Sequence, residues 1–394
     1  MFETLRPAAP DKILALMTEY RADPRSEKVD LGVGVYRDQH GRTEVMRAVR
    51  AAEARLDEQQ DSKSYVGMIG DAAFCRGIGE LVLGGCVAEE RLRICQAPGG
   101  SGALRILAEL INRAKPGARI WISDPSWPNH VPLIGEAGLE TASYPYFDAA
   151  SGSVRFEAML EALGGAAAGD LVLLHGCCHN PTGANLDLDQ WRAVTDLCLE
   201  RGLLPFVDIA YQGFGDGLDE DAAGLRLMAA KVPEMVIASS CSKNFAVYRD
   251  RVGAALLIAR DGEQADVTFS QLLNVTRGMY SMPPDHGAAV VGRVLADEAL
   301  CADWREELEG MRGRMLRLRE GLAAALREHT GSDRFDFVAD HRGMFSRLGL
   351  TPEQVARLRA EHGIYMVGDS RINIAGLPDD GLDQLAAAIA GVLD

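Results

Sequence analysis

Residues 239–251 read SSCSKNFAVYRDR, from Ser239 to Arg251. A lone lysine, Lys243, stands among small hydroxyl residues, and Arg251 closes the stretch. The apolar run Met235-Val236-Ile237-Ala238 just before it predicts a buried strand that opens into a loop at the lysine. Burial there disfavours the ammonium form, lowers the pKa and leaves an amine nucleophilic enough for Schiff-base chemistry. Ser240, Ser242 and Arg251 offer the hydroxyls and the planar guanidinium that a phosphate takes. A lysine beside serines also fits a solvated surface loop, so the segment alone leaves both readings open.

Two upstream segments bear on the choice. "LLPFVDIAYQGF" (203–214) is an apolar run that ends in Asp208 and, shortly after, Tyr211. Each could be structural, a helix cap and a core aromatic. "DLVLLHGCCHNPTG" (170–183) is a second apolar strand that breaks at Asn180-Pro181-Thr182-Gly183, a turn sequence. Three polar-tipped strands in succession are hard to explain as structure alone, because open α/β sheets bind ligands beyond the carboxyl ends of their strands. A carbonyl-bearing phosphate held by a lysine, with a carboxylate facing a pyridine nitrogen, describes pyridoxal phosphate.

The motifs Asn180-Pro-Thr-Gly, Asp208-x-x-Tyr211, Ser240-x-Ser242-Lys243-Asn244 and Arg251-x-Gly253 have the order and spacing of the class I aminotransferases. The resemblance runs essentially end to end. "FETLRPAAPDKILAL" (2–16) resembles that family's N-terminal arm and "LGVGVYRDQHGRT" (31–43) its substrate lid. "SYVGMIGD" (64–71), "APGGSGALR" (97–105), "DPSWPNH" (124–130), "YSMPPDHGA" (280–288), "GMFS" (343–346) and "SRINIAG" (370–376) follow in family order. The likeness is closest to the aspartate and aromatic amino acid branch, with bacterial aromatic aminotransferases nearest.

The resemblance implies an α/β protein, a fold-type I pyridoxal-phosphate transferase. Its mostly parallel central sheet lies in a large domain (43–310), beside a smaller α+β domain (13–42 and 311–394) and an arm (1–12). It implies a homodimer with shared active sites. Lys243 becomes the covalent anchor and proton shuttle, Asp208 the partner of the ring nitrogen, and Asn180 and Tyr211 the partners of the ring 3-oxygen. Ser240, Arg251 and the Gly100–Ser101 turn hold the phosphate, and Tyr65 reaches the phosphate of the neighbouring subunit's cofactor. Trp127 lies against the ring, supported by His130 and His175. Arg371 grips the substrate α-carboxylate, Arg277 a side-chain carboxylate across the dimer interface, and Gly34 lets the lid backbone approach; Trp127 and Asn180 also face substrate. The implied reaction moves the amino group of Tyr, Phe or Trp, and of Asp or Glu, to 2-oxoglutarate or another 2-oxo acid by a ping-pong mechanism. The alternative is an aspartate aminotransferase.

Some positions depart from the family pattern. Met282 stands where dicarboxylate specialists carry Asn, Ser101 where many have Thr, and Ala246 where Gly is usual. Arg347 follows "GMFS" where an apolar or aromatic residue is common, and Asp369 adds a negative charge near Arg371. Two other classes fit the sequence less well. A dehydrogenase competes only weakly, because Gly100-x-Gly102-x-x-Arg105 puts arginine where a dinucleotide fingerprint needs Gly or Ala and no Walker sequence is present. A catalytically silent binding protein of the same fold is disfavoured by Lys243, Asp208 and the substrate arginines.

Composition agrees. A chain of 394 residues exceeds the size at which one core stops growing, so two lobes are expected. The net charge of −16 argues against nucleic acid or an anionic membrane as partner. Eight cysteines in a chain this long, with no C-x-x-C pair, suggest neither a disulfide framework nor a metal site. The start of the chain shows no apolar run suited to a signal or a membrane span, and a cytoplasmic home is expected. Strands are expected at 118–122, 169–174, 203–208, 235–239 and 252–259, with helices at 48–60, 100–114 and 189–200. A long charged helix is expected from about Asp303, its charge run read as a solvated face.

Overall fold

The computed structural model describes residues 1–7 and 12–393. Residues 8–11 of the expected arm lie outside them. At the centre is a seven-stranded sheet of β1 (Leu92–Pro98), β2 (Arg119–Asp124), β3 (Glu140–Pro145), β4 (Leu171–His175), β5 (Leu204–Ile209), β6 (Met235–Ser240) and β7 (Val252–Ile258). Its spatial order is β1-β7-β6-β5-β4-β2-β3. Pairs β2/β3, β2/β4, β4/β5 and β5/β6 are parallel, and only β7 runs against its neighbours.

The central strands are apolar almost throughout because helices cover both faces. Alternate residues separate cleanly. Leu173, Phe206, Ala238 and Ala255 pack with Ala103, Leu107 and Ile111 of the helix Gly99–Ala114. Leu174, Val207, Ile237 and Ala254 face the opposite layer, with Phe74, Trp191 and Trp304. The helix Leu188–Arg201 opens on a capping box between Asp187 and Gln190.

A third cluster gathers Leu31, Phe335, Leu350, Ile372 and Ile389 around Leu318, Leu322 and Leu326. Those leucines belong to the helix Glu298–Thr330, whose 33 residues also supply Trp304 and Leu308 to the core of the large sheet. At 1.5 Å per residue the helix is about 50 Å long and joins the two cores.

Two expectations fail. The long helix starts at Glu298, capped by Asp297, and not near Asp303. Its charge run is not simply a solvated face, because Arg314 and Arg319 are buried. Arg314 donates to the carbonyls of Arg37 and Leu377 and pairs with Asp379. All eight cysteines are free thiols. Among the described residues no helix is long and apolar enough to cross a membrane.

Candidate active site

The topology delivers the motifs to one edge. β2, β4, β5 and β6 are parallel, so the loops carrying Trp127, Asn180, Tyr211 and Lys243 leave the sheet on the same side. β7 runs the other way and starts at Val252, so Arg251, just before it, lies at that edge too. β1 ends there at Pro98, and the helix Gly99–Ala114 begins with its free N–H groups toward the same space.

A cavity of about 260 Å³ opens at this edge. It is lined by Gly34, Gly100, Ser101, Trp127, His175, Asn180, Asp208, Tyr211, Ser240, Lys243 and Arg251. Tyr248, Cys177 and Ser242 line it as well. His130 lies one layer behind, its Nε2 2.9 Å from Asp208 Oδ2. Arg371 is buried beside the cavity, with Nη1 3.3 Å from Asn180 Oδ1 and Nη2 2.8 Å from the Gly32 carbonyl. Tyr65 and Arg277 are not brought to it: Tyr65 is 92% exposed, and exposed Arg277 bonds Ser281 Oγ.

Electrostatics polarise the cavity. Burial pushes the Lys243 amine down to about 8; Asp208 opposes that shift and Arg251 adds to it. The amine lies 4.9 Å from the centroid of the Tyr211 ring. Burial alone would raise the Asp208 carboxyl, but the hydrogen bond from His130 and the cationic form of nearby Lys243 hold it below the ordinary aspartate value. A carboxylate accepts, so His130 Nε2 carries the proton. His130 Nδ1 then accepts from Ser126 Oγ at 2.9 Å, and Ser126 Oγ accepts from His175 Nε2 at 3.1 Å. Burial pushes His175 down to about 3, so this ring is neutral. Burial also pushes the Tyr211 phenol up, leaving it protonated.

The donor set fits pyridoxal phosphate. A Cβ on Gly100 would stand 2.9 Å from Ser240 Cβ, and one on Gly99 would stand 2.5 Å from Arg251 Nη2. The helix turn is therefore pressed against a hydroxyl and a guanidinium, a cradle for a dianion. The ionised Asp208 suits a protonated ring nitrogen, and Lys243 supplies the amine. Beside them, the Arg371 guanidinium is buried, with its Nε unpartnered like those of Arg105, Arg314 and Arg319.

Sequence reasoning missed Tyr248 and Ser126, although both sit inside quoted motifs. The Tyr248 hydroxyl accepts from the Tyr36 N–H at 2.9 Å and ties the lid segment to the Lys243 loop. The acidic loop GDGLDED (215–221) reads as solvated in sequence, but Asp221 at its end is buried, and its carboxylate and the two thiols of Cys177 and Cys178 lie within 4.8 Å of one another. Its oxygens accept the N–H groups of Gly213, Gly215 and Asp216, so it closes a loop.

A family model for aminotransferases of class I and II matches residues 26–389. The chain is 54% identical over 392 residues to an aromatic-amino-acid aminotransferase of Paracoccus denitrificans, covering 100% of both. It is 46% identical over 396 residues to an aspartate aminotransferase of Escherichia coli (strain K12), again covering 100% of both. A solved aromatic-amino-acid aminotransferase from Burkholderia pseudomallei, covalently bound to pyridoxal phosphate, superposes with a TM-score of 0.97 at 44% identity, covering 100% of each chain. Matched by that family model over most of its length and by such relatives end to end, the chain belongs to the class I and II aminotransferases.

Proposed function

We propose that this protein is a pyridoxal-phosphate aminotransferase that takes aromatic amino acids and also dicarboxylic ones, working as a cytoplasmic homodimer. The observation that carries the reading is the half-buried Lys243 amine, at about 8, between an anion cradle and an ionised Asp208. When bound, the cofactor supplies an aldehyde for the amine and a ring that takes up the electron pair left when the Cα proton departs. Ser240, Arg251 and the Gly100–Ser101 turn hold its phosphate, and Asp208 keeps the ring nitrogen protonated. Asn180 and Tyr211 donate toward the 3-oxygen, and Trp127 covers the ring.

Lys243 takes the proton from the substrate Cα and returns it, because an amine near 8 both accepts and releases a proton close to neutral pH. Arg371, buried beside the cavity next to Asn180, orients the α-carboxylate. Tyr65 and Arg277 are exposed in the single chain. In our reading they complete the site of a second copy, Tyr65 at the phosphate and Arg277 at a side-chain carboxylate. The small lobe of the proposal comprises 13–42 and 311–394, and the large lobe 43–310.

Met282, apolar and adaptable, favours an aromatic side chain. Retention of Arg277 keeps the second reading, an aspartate aminotransferase, in play. A kcat/KM panel over tyrosine, phenylalanine, tryptophan and aspartate, with 2-oxoglutarate as acceptor, ranks them. Arg277→Leu is expected to depress the aspartate half-reaction by about 2–4 kcal/mol and leave the phenylalanine half-reaction nearly unchanged. Equal losses in both would make Arg277 structural.

A further inference from the structure

Arg319 is fully buried, yet its partners are four uncharged oxygens. Nη1 donates to the Val338 carbonyl at 3.1 Å and to Ser346 Oγ at 2.7 Å; Nη2 donates to the carbonyls of Gly343 and Phe345, both at 2.7 Å. Burying a guanidinium with no carboxylate is costly unless its N–H groups are met; the four Nη hydrogens are met here, and Nε is buried without a partner. Three of these four acceptors belong to one segment, Gly343–Ser346, where a turn runs into the short strand Phe345–Arg347.

That turn touches both halves of the site. On one side, the Ile374 N–H donates to the Met344 carbonyl at 2.7 Å, and Phe345 and Arg347 pair with Asn373 and Arg371 in an antiparallel ladder. The Phe345 ring lies 4.4 Å beneath the Arg371 guanidinium and 6.1 Å edge-on from Tyr211. On the other side, a Cβ on Gly343 would meet Cys178 Cβ at 2.3 Å, and one on Gly183 would meet the Phe345 carbonyl oxygen at 2.3 Å. The turn is thus pressed against the loop that carries Asn180.

Ser346 is itself fixed. His341 Nε2 donates to the Gly152 carbonyl at 2.7 Å, so its Nδ1 accepts from the Ser346 hydroxyl at 3.1 Å. The Ser346 oxygen then offers its lone pairs to Arg319.

We infer that Arg319 is a positioning residue for substrate carboxylate recognition: through the Gly343–Ser346 turn it sets the ring on which Arg371 rests. This rests on reading Arg371 as the α-carboxylate's partner. A lysine at 319 would keep the charge but lose the planar fork that reaches several acceptors at once.

The test compares holoenzymes of wild type, Arg319→Lys, Ser346→Ala and Arg371→Leu. The readouts are kcat, amino-acid KM, the inhibition constant of 3-phenylpropionate as a bare carboxylate probe, and cofactor retention by absorbance. Arg319→Lys is expected to raise KM and the inhibition constant about tenfold or more, with cofactor retained and kcat within about threefold. Ser346→Ala moves both constants the same way by about threefold, and it decides the matter alone if Arg319→Lys does not fold. A lowered thermal midpoint with both constants within about twofold of wild type would overturn the inference. If Arg371→Leu leaves the inhibition constant unchanged, the reading of Arg371 fails and this inference goes with it. If Arg371→Leu raises that constant while the other two variants do not, only the role of Arg319 falls.

Discussion

Stripped of cofactor, the protein is expected to carry one lysine that reacts well below the ordinary lysine range. Burial brings Lys243 from 10.5 to about 8. At pH 7 an amine at about 8 is neutral in roughly one molecule in ten, against roughly three in ten thousand at 10.5, an enrichment of about 300-fold. Competitive acetylation of the cofactor-free protein across pH, read by mass spectrometry against exposed Lys63 and Lys231, gives the midpoint directly.

The same shift has a stability consequence, and its sign is fixed. The unfolded chain binds a proton at Lys243 up to 10.5, whereas the folded one releases it at about 8, so stability rises with pH between the two values. Below pH 8 the full cost is present, about 3 kcal/mol at 1.36 kcal/mol per pH unit and nearer 1–2 kcal/mol once solvent at the open cavity is allowed for. Cofactor-free Lys243→Met is therefore expected to be more stable than wild type at pH 7 by that amount, with the gap closing toward pH 10.5. An acetylation midpoint above 10, or a Lys243→Met stability gap that does not change with pH, would refute the reasoning.

Other outcomes follow from the same site. Asp208→Ala is expected to slow Cα proton removal in single-turnover experiments while phosphate binding survives, and Asp208→Glu to keep more activity; equality of both with wild type would give the carboxylate another job. Mixing Lys243→Ala chains with Arg277→Asp chains is expected to restore part of the dicarboxylate activity through hybrid dimers, and no recovery despite proven subunit exchange counts against a shared site. Ala246 holds φ +53°, a left-handed conformation that favours glycine. Ala246→Gly is expected to raise stability by about 0.5–1 kcal/mol, seen as a higher urea midpoint.

The strands that carry Asn180, Asp208 and Lys243 were legible because each is a near-continuous apolar run buried on both faces. The two strands missed, Leu92–Pro98 and Glu140–Pro145, are the edges of the sheet. Arg93, Glu140 and Thr141 sit in them, and edge strands with polar residues lose the apolar pattern. The long helix misled for a related reason. Arg314 and Arg319 read as surface charge in sequence, and only the folded chain shows the carbonyls that receive them. Asp297, which caps that helix by accepting from Ala299 and Leu300, was the readable sign of its true start. Composition was silent on the chemistry. What carried the site was order and spacing, since parallel strands bring loops far apart in sequence to one edge.

Two departures from the family pattern turn out to be one feature. Arg347 lies directly across the antiparallel ladder from Arg371. Its Nε donates to the Asp369 carbonyl at 2.9 Å and lies 3.8 Å from the Asp369 carboxylate, which also accepts the Arg371 N–H at 3.3 Å. Taken alone, Asp369 would set a negative charge beside the group that must attract a carboxylate, and Arg347 would set a second positive one. In the structure the two face each other at 3.8 Å, with Asp369 also favouring the charged form of Arg371. A pair this accessible to water adds little to stability. Its weight falls on binding: removing Arg347 alone leaves Asp369 to compete with the substrate for Arg371, and removing Asp369 alone leaves an extra cation beside it. Arg347→Ala is therefore expected to raise the amino-acid KM more than Arg347→Ala combined with Asp369→Asn, and equal effects of the single and double variants would separate the pair from carboxylate recognition.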